Sequence, residues 1–85
     1  MSNLIIVVGS PSTATRLARR LNKYGKSANV ISTPAELRKS RSCSSSVKTE
    51  PSSEAIVKNM NDLTIKGMYI EEYVYGKRFF HDLLG

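Results

Sequence analysis

The stretch Leu4-Ile5-Ile6-Val7-Val8-Gly9-Ser10-Pro11-Ser12-Thr13-Ala14 decides the fold of this chain. Its first five residues are apolar, and four of them are β-branched. Such a run reads as a strand that is central in its sheet or covered on both faces. Gly9 and Ser10 stop it. Ser10 suits the N-cap of a helix and Pro11 its first position, with Ser12 a competing cap. Ala14, Leu17, Ala18, Leu21 and Tyr24 then recur at helical spacing, which predicts an amphipathic helix. Gly25 suits the left-handed residue that ends it. The polar face of the helix carries Arg16, Arg19, Arg20 and Lys23.

Working outward, Ala28 to Ser32 reads as a second short strand around Val30 and Ile31. Thr33-Pro34-Ala35-Glu36 has the form of a capping box, in which Thr33 and Glu36 each satisfy the other's amide. The helix it opens is short, with Leu37 its apolar residue. After a basic, serine-rich loop, Ser45 to Thr49 reads as a weak strand with Val47 facing inward. Glu50-Pro51-Ser52-Ser53-Glu54 starts a second long helix over 52–64, with Ile56, Val57, Met60 and Leu63 as its stripe and Gly67 closing it. Met68 to Tyr75 is the last strand expected, with Met68 and Ile70 on one face and Tyr69, Tyr73 and Tyr75 on the other. Residues 77–84 read as a short helix that gathers Phe79, Phe80, Leu83 and Leu84.

This order predicts an α+β domain over 1–76, a ferredoxin-like split β-α-β sandwich of the form β-α-β-(short α)-β-α-β. A C-terminal apolar tail helix, within 77–85, packs on the open face of the sheet or on a partner. A homodimer through the sheet face or the tail is one expected use of it.

The chain has 85 residues and a formal charge of +6. The charge is uneven. Residues 1–48 hold nine lysines and arginines against one acid, Glu36, whereas 49–85 hold four against six acids. That asymmetry points to an anionic partner, nucleic acid included. No apolar run approaches the roughly 18–20 residues that span a bilayer, so no membrane role is expected. The apolar start has neither a basic leader nor a small-residue cleavage site. One cysteine forbids an internal disulfide and suits the reducing cytoplasm. His81 is the lone histidine, without a second ligand at metal-binding spacing, so neither a metal nor a cofactor is expected.

That cysteine, Cys43, lies in Arg38-Lys39-Ser40-Arg41-Ser42-Cys43-Ser44-Ser45-Ser46, with no apolar neighbour in sequence. A thiol kept for packing sits among core residues. Positive charge and exposure instead favour the thiolate, the nucleophilic form. Arg38, Lys39 and Arg41 are the candidate charges, and the Ser42 and Ser44 hydroxyls the candidate donors. A second, weaker candidate is the strand-to-helix junction, where Ser10, Ser12 and Thr13 stand beside free amides suited to an anion.

The order of these motifs resembles the bacterial Se/S carrier protein-like family. The resemblance lies in the apolar strand, Pro11-Ser12-Thr13 opening a helix, the strand running into Thr33-Pro34, and the loop with Ser42-Cys43. Gly67-Met68-Tyr69-Ile70 is similar to the family's closing strand. Where the family motif continues with glycine after the cysteine, this chain has Ser44. The resemblance implies a carrier that holds sulfur or selenium on Cys43 as a persulfide or its selenium counterpart. It also implies donor and acceptor proteins, and a role other than that of a turnover enzyme.

Two other classes stay open. Arg16, Arg19, Arg20 and Lys23 suit nucleic-acid phosphates, which predicts salt-dependent, non-specific binding. The apolar tail suits a small interaction or self-association module without cysteine chemistry. Thiol reactivity, salt dependence and oligomer mass separate the three.

Overall fold

The computed structural model describes residues 2–38 and 45–84. Among these residues the expected α+β architecture is present as one antiparallel five-stranded sheet and two α-helices. The strands are β1 (Ser2–Val8), β2 (Ala28–Ser32), β3 (Ser45–Thr49), β4 (Ile65–Val74) and β5 (Lys77–Asp82), and the helices are α1 (Pro11–Lys23) and α2 (Glu54–Lys58). Across the sheet the order is β2-β3-β1-β4-β5. β1 pairs antiparallel with both β3 and β4, so it is central. β3 also pairs antiparallel with β2. β1 and β2 therefore run parallel with β3 between them. β3 and β4 run parallel with β1 between them.

Alternation along β1 builds two apolar layers, as the period of two dictates. Leu4, Ile6 and Val8 turn to the helices and pack with Leu17, Leu21, Val47, Val57 and Met68. Each of these side chains is essentially closed to solvent, contributing about 1.5–3 kcal/mol apiece. Ile5 and Val7 turn to the opposite face, where Leu37 and Tyr69 cover them. Tyr69 comes from β4, and Leu37 from residues 33–38, which leave β2 and cross the sheet.

α1 follows its sequence signals. Ser10 Oγ accepts the Thr13 amide at 3.2 Å. At the other end Gly25 has φ +80°. The Lys26 amide reaches Leu21 O, and the Gly25 amide reaches Asn22 O, each at 3.0 Å. These two bonds form the paired closure that a left-handed glycine permits.

Four expectations are corrected. The tail is strand β5, not a helix: Lys77 pairs with Val74 and Asp82 with Tyr69. Tyr75 and Gly76 form the turn between them with φ +51° and +77°, the two-residue geometry that suits the twist of a hairpin. A hairpin already joined to a long strand wins over an eight-residue helix, which is too short to hold itself. Phe79 and Phe80 consequently lie on opposite faces, and Tyr75 sits in the turn, fully exposed.

The second helix is short. A 3-10 turn over Pro51–Ser53 leads into α2, which ends at Lys58. Asn59-Met60-Asn61-Asp62 follows, and Asn and Asp favour local turns over helix. Leu63 is still buried. Gly67 closes no helix, since it lies within β4. A Cβ there would stand 2.8 Å from Cε2 of the Tyr69 ring, so the ring occupies the space that glycine leaves.

The capping box does not form. Residues Ala35–Leu37 make a 3-10 turn without a side-chain cap. Thr33 Oγ1 instead meets Ser46 Oγ at 2.7 Å in the interior, and Glu36 reaches β5.

Candidate functional site

Ser45 opens β3 opposite Val8 of β1 and Ser32 of β2. Val8 leads through Gly9 directly into the cap of α1. The start of β3 and the N-terminus of α1 therefore lie at one end of the sheet. There Ser10 Oγ lies 2.9 Å from Thr13 Oγ1 and 3.2 Å from Ser12 Oγ. The three hydroxyls named from sequence are thus brought together, bonded to one another and to the first turn. β4 also begins at this end, with Ile65 opposite Val8. The Lys66 chain passes over Gly9, its Cε 3.2 Å from where a glycine Cβ would be. Lys66 was not among the sequence candidates; the strand pairing brings it there.

Arg38, the last described residue before the loop, donates from Nε to Thr33 O at 3.0 Å. It turns back on the segment that carries it. Lys39, Arg41, Ser42, Cys43 and Ser44 lie outside the described residues.

The segment crossing the sheet is held by charge. Arg78 of β5 donates to Glu36 from Nε at 3.0 Å and from Nη2 at 2.7 and 2.6 Å. The Arg78 hydrogen bonds hold the Glu36 carboxyl below its ordinary range. Arg78 Nη1 also stands 3.6 Å from Glu71 Oε2, and Lys48 Nζ stands 3.6 Å from Glu71 Oε1. Asn3 Nδ2 donates to the same Oε1 at 3.3 Å. Glu71 is buried, so these partners keep a carboxylate inside the fold, where an unpartnered one would be costly. Sequence reasoning missed this group. The available signal was an acid alternating with Tyr69 and Tyr73 along β4.

Arg16, Arg19 and Lys23 are exposed on α1. Arg20 is drawn aside into a two-pronged pair with Asp62, Nη1 to Oδ1 at 2.7 Å and Nη2 to Oδ2 closer. That bond lowers the Asp62 carboxyl to about 2. Arg20, Lys23, Tyr24 and residues 59–62 border an open groove of about 420 Å³. It lies toward the C-terminal end of α1, away from Ser45. His81 is exposed, 3.7 Å from Glu72. Among the described residues no group of histidines and carboxylates has the form of a metal site. Among the described residues no helix is long and apolar enough to cross a membrane.

A small α+β protein emerges, with a face-crossing segment that precedes the basic stretch of sequence carrying Cys43. The chain belongs to the family described as "Putative Se/S carrier protein-like", whose sequence model matches residues 3–70. The match takes in the loop and stops within β4, leaving β5 outside it. No curated protein and no solved structure matches the chain.

Proposed function

We propose that the protein carries sulfur or selenium on Cys43 and passes it between a donor and an acceptor protein in a reducing cytoplasm. The observation that carries this reading is the family match, which spans position 43 in a chain with one cysteine. Only Ser44 separates Cys43 from Ser45, so the chain keeps their Cα atoms within ~7 Å. The described groups around Ser45 suit an anion: the N-terminus of α1, with its positive dipole end, and Lys66. Arg38 stands at the other root of the loop. Arg41 and Lys39 add charge from the loop itself, and Ser42 and Ser44 add hydroxyl donors. Such surroundings lower a thiol pKa and favour the thiolate.

The step is displacement at sulfur. The Cys43 thiolate attacks the terminal sulfur of a donor persulfide, forming a new S–S bond. The donor's own sulfur leaves as a thiolate with the electron pair, so no oxidant is consumed. Transfer to the acceptor repeats the exchange in reverse. The protein is a carrier rather than a turnover enzyme. The fold reading that accompanies it is ferredoxin-like: the strand order β4-β1-β3-β2 with two β-α-β units supports it, with β5 appended at the edge.

The test incubates the protein with a small-molecule persulfide and follows intact mass. One added sulfur is expected on the parent and none on Cys43→Ala. Thiol alkylation against pH is expected to give a pKa well below the reference ~8.5. Equal transfer by Cys43→Ala would remove the carrier reading.

The exposed Arg16, Arg19 and Lys23 favour a second reading, docking of an anionic macromolecule on α1. Nucleic acid bound there would be held through phosphates, and its affinity would fall steeply with salt. A base-stacking platform on the opposite sheet face is disfavoured, because Leu37 covers Tyr69 and Ile5 there. Loss of low-salt binding in Arg16→Glu/Arg19→Glu supports the second reading. Absence of any binding at low salt rejects it.

A further inference from the structure

The last strand, β5, ends the sheet at one edge, and its backbone shows which groups that edge offers. The two-residue turn makes Val74 and Lys77 a hydrogen-bonded pair. At the other end the Leu83 amide donates to Met68 O at 2.8 Å. Both belong to the register that pairs Ile70 with His81 and Glu72 with Phe79. The odd-numbered residues of β5 therefore turn their amides and carbonyls to β4. Those of Arg78, Phe80 and Asp82 turn outward, unpaired among the described residues of the sheet.

We infer that β5 pairs antiparallel with β5 of a second copy, about a two-fold axis perpendicular to the sheet at Phe80. Such an axis keeps each face of the sheet continuous, so paired residues must share a face. Setting Phe80 opposite Phe80 of the second copy meets that condition and joins only outward-turned residues. Arg78 then stands opposite Asp82 of the second copy, and Asp82 opposite its Arg78. This register matches opposite charges twice. It also satisfies the amides and carbonyls of all three outward residues. A shift to Phe79 opposite Phe79 leaves Asp82 without either partner.

The same pairing covers exposed apolar surface. Phe79 is 47% exposed. In the dimer Phe79 lies opposite His81 of the second copy, in a non-hydrogen-bonded pair whose side chains approach closely. The alternative of β5 on β2 of another copy is head-to-tail and repeats without closing, whereas β5 on β5 closes at two. β5 lies outside residues 3–70 of the family match, so the pairing stands or falls independently of Cys43.

The experiment is sedimentation with amide exchange by NMR, on the full chain from dilute solution to about 1 mM, the range where weak association shows. The expected result is a concentration-dependent shift from 9.4 kDa to twice that mass. Amides of Arg78, Phe80 and Asp82 become protected as the dimer fills, while those of Phe79 and His81 are protected throughout. Asp82→Lys sets like charges opposite at both ends and is expected to weaken association roughly tenfold. Phe80→Pro removes an outward amide and no bond to β4, so it is expected to leave a folded monomer. Amides 78, 80 and 82 exchanging freely at every concentration overturn the inference. So does a dimer that Asp82→Lys leaves unchanged.

Discussion

Arg78, on the outer strand β5, grips Glu36, which lies in the segment leaving the opposite outer strand β2, with Nη2 2.6 Å from Oε2. The pair straps residues 33–38 across the full sheet, and the same guanidinium faces buried Glu71 at 3.6 Å. The segment it holds down leads, at Arg38, into the stretch of sequence that carries Cys43.

Replacing Arg78 with methionine therefore has two effects. Glu36 loses its partner, and Glu71 keeps only Lys48 and Asn3 of its described partners. Glu36→Gln has only the first effect. Arg78→Met is expected to lower the urea midpoint more than Glu36→Gln, and adding Glu71→Gln to Arg78→Met is expected to recover part of the loss. Equal midpoints for the two single variants would show that the Glu71 contact contributes nothing.

Acid should weaken the fold through Asp62 and Glu36. Both carboxyls have folded-state pKa values below their unfolded ones, so the unfolded chain binds protons first as pH falls. Their contribution is complete above the unfolded pKa and is lost on descending through the folded one. For Asp62 the window runs from the ordinary 3.8 down to about 2. Thermal midpoints measured against pH should fall across it. Asp62→Asn should flatten the fall, and salt should shrink the difference because the pair is exposed.

The buried hydroxyl pair of Thr33 and Ser46 tests a different balance. Thr33→Val leaves the Ser46 hydroxyl inside without that partner, expected to cost ~1–3 kcal/mol. Thr33→Val combined with Ser46→Ala removes both polar groups and should cost less than the two single changes added together. Simple additivity in urea unfolding would mean that the two hydroxyls do not act as a pair.

Gly67→Ala puts a methyl group into the space of the Tyr69 ring, which packs in one cluster with Leu37. Overpacking of this kind is expected to cost ~1–3 kcal/mol. Adding Tyr69→Leu should relieve the clash, so the double variant should be less sensitive to the alanine than the parent is. An alanine tolerated equally in both backgrounds would show that the ring moves freely.

Much of the architecture was legible because local physics and tertiary need agree. Leu4 to Val8 is central and buried on both faces. Ser10, Pro11 and Gly25 bound α1 as their backbone preferences require. Val47 is the large inward residue of a strand that carries little other apolar weight. The misreadings fall where two local patterns compete. Lys77 to Asp82 has no strict alternation of polar and apolar residues, and its adjacent Phe79 and Phe80 with Leu83 and Leu84 fit a helical turn. Only the positive φ of Tyr75 and Gly76 separates the two. Thr33 and Glu36 have capping-box spacing, yet each finds a distant partner. At the candidate site, Ser10, Ser12 and Thr13 were nameable because a cap is local. Lys66, Glu71 and Arg78 were not, since their roles depend on which strands lie side by side.

The amino-acid order alone thus determined the central strand, the bounds of α1, the α+β class and the single cysteine in a cationic stretch of sequence, because each depends on neighbours within a few positions. The three-dimensional fold decided which distant groups share one end of the sheet. Strand order brings the α1 cap and Lys66 to the end where β3 begins, and sheet width sets the span that Glu36 and Arg78 bridge. These are long-range distances, and hydrophobic spacing along a chain carries no record of which edge of a sheet faces which.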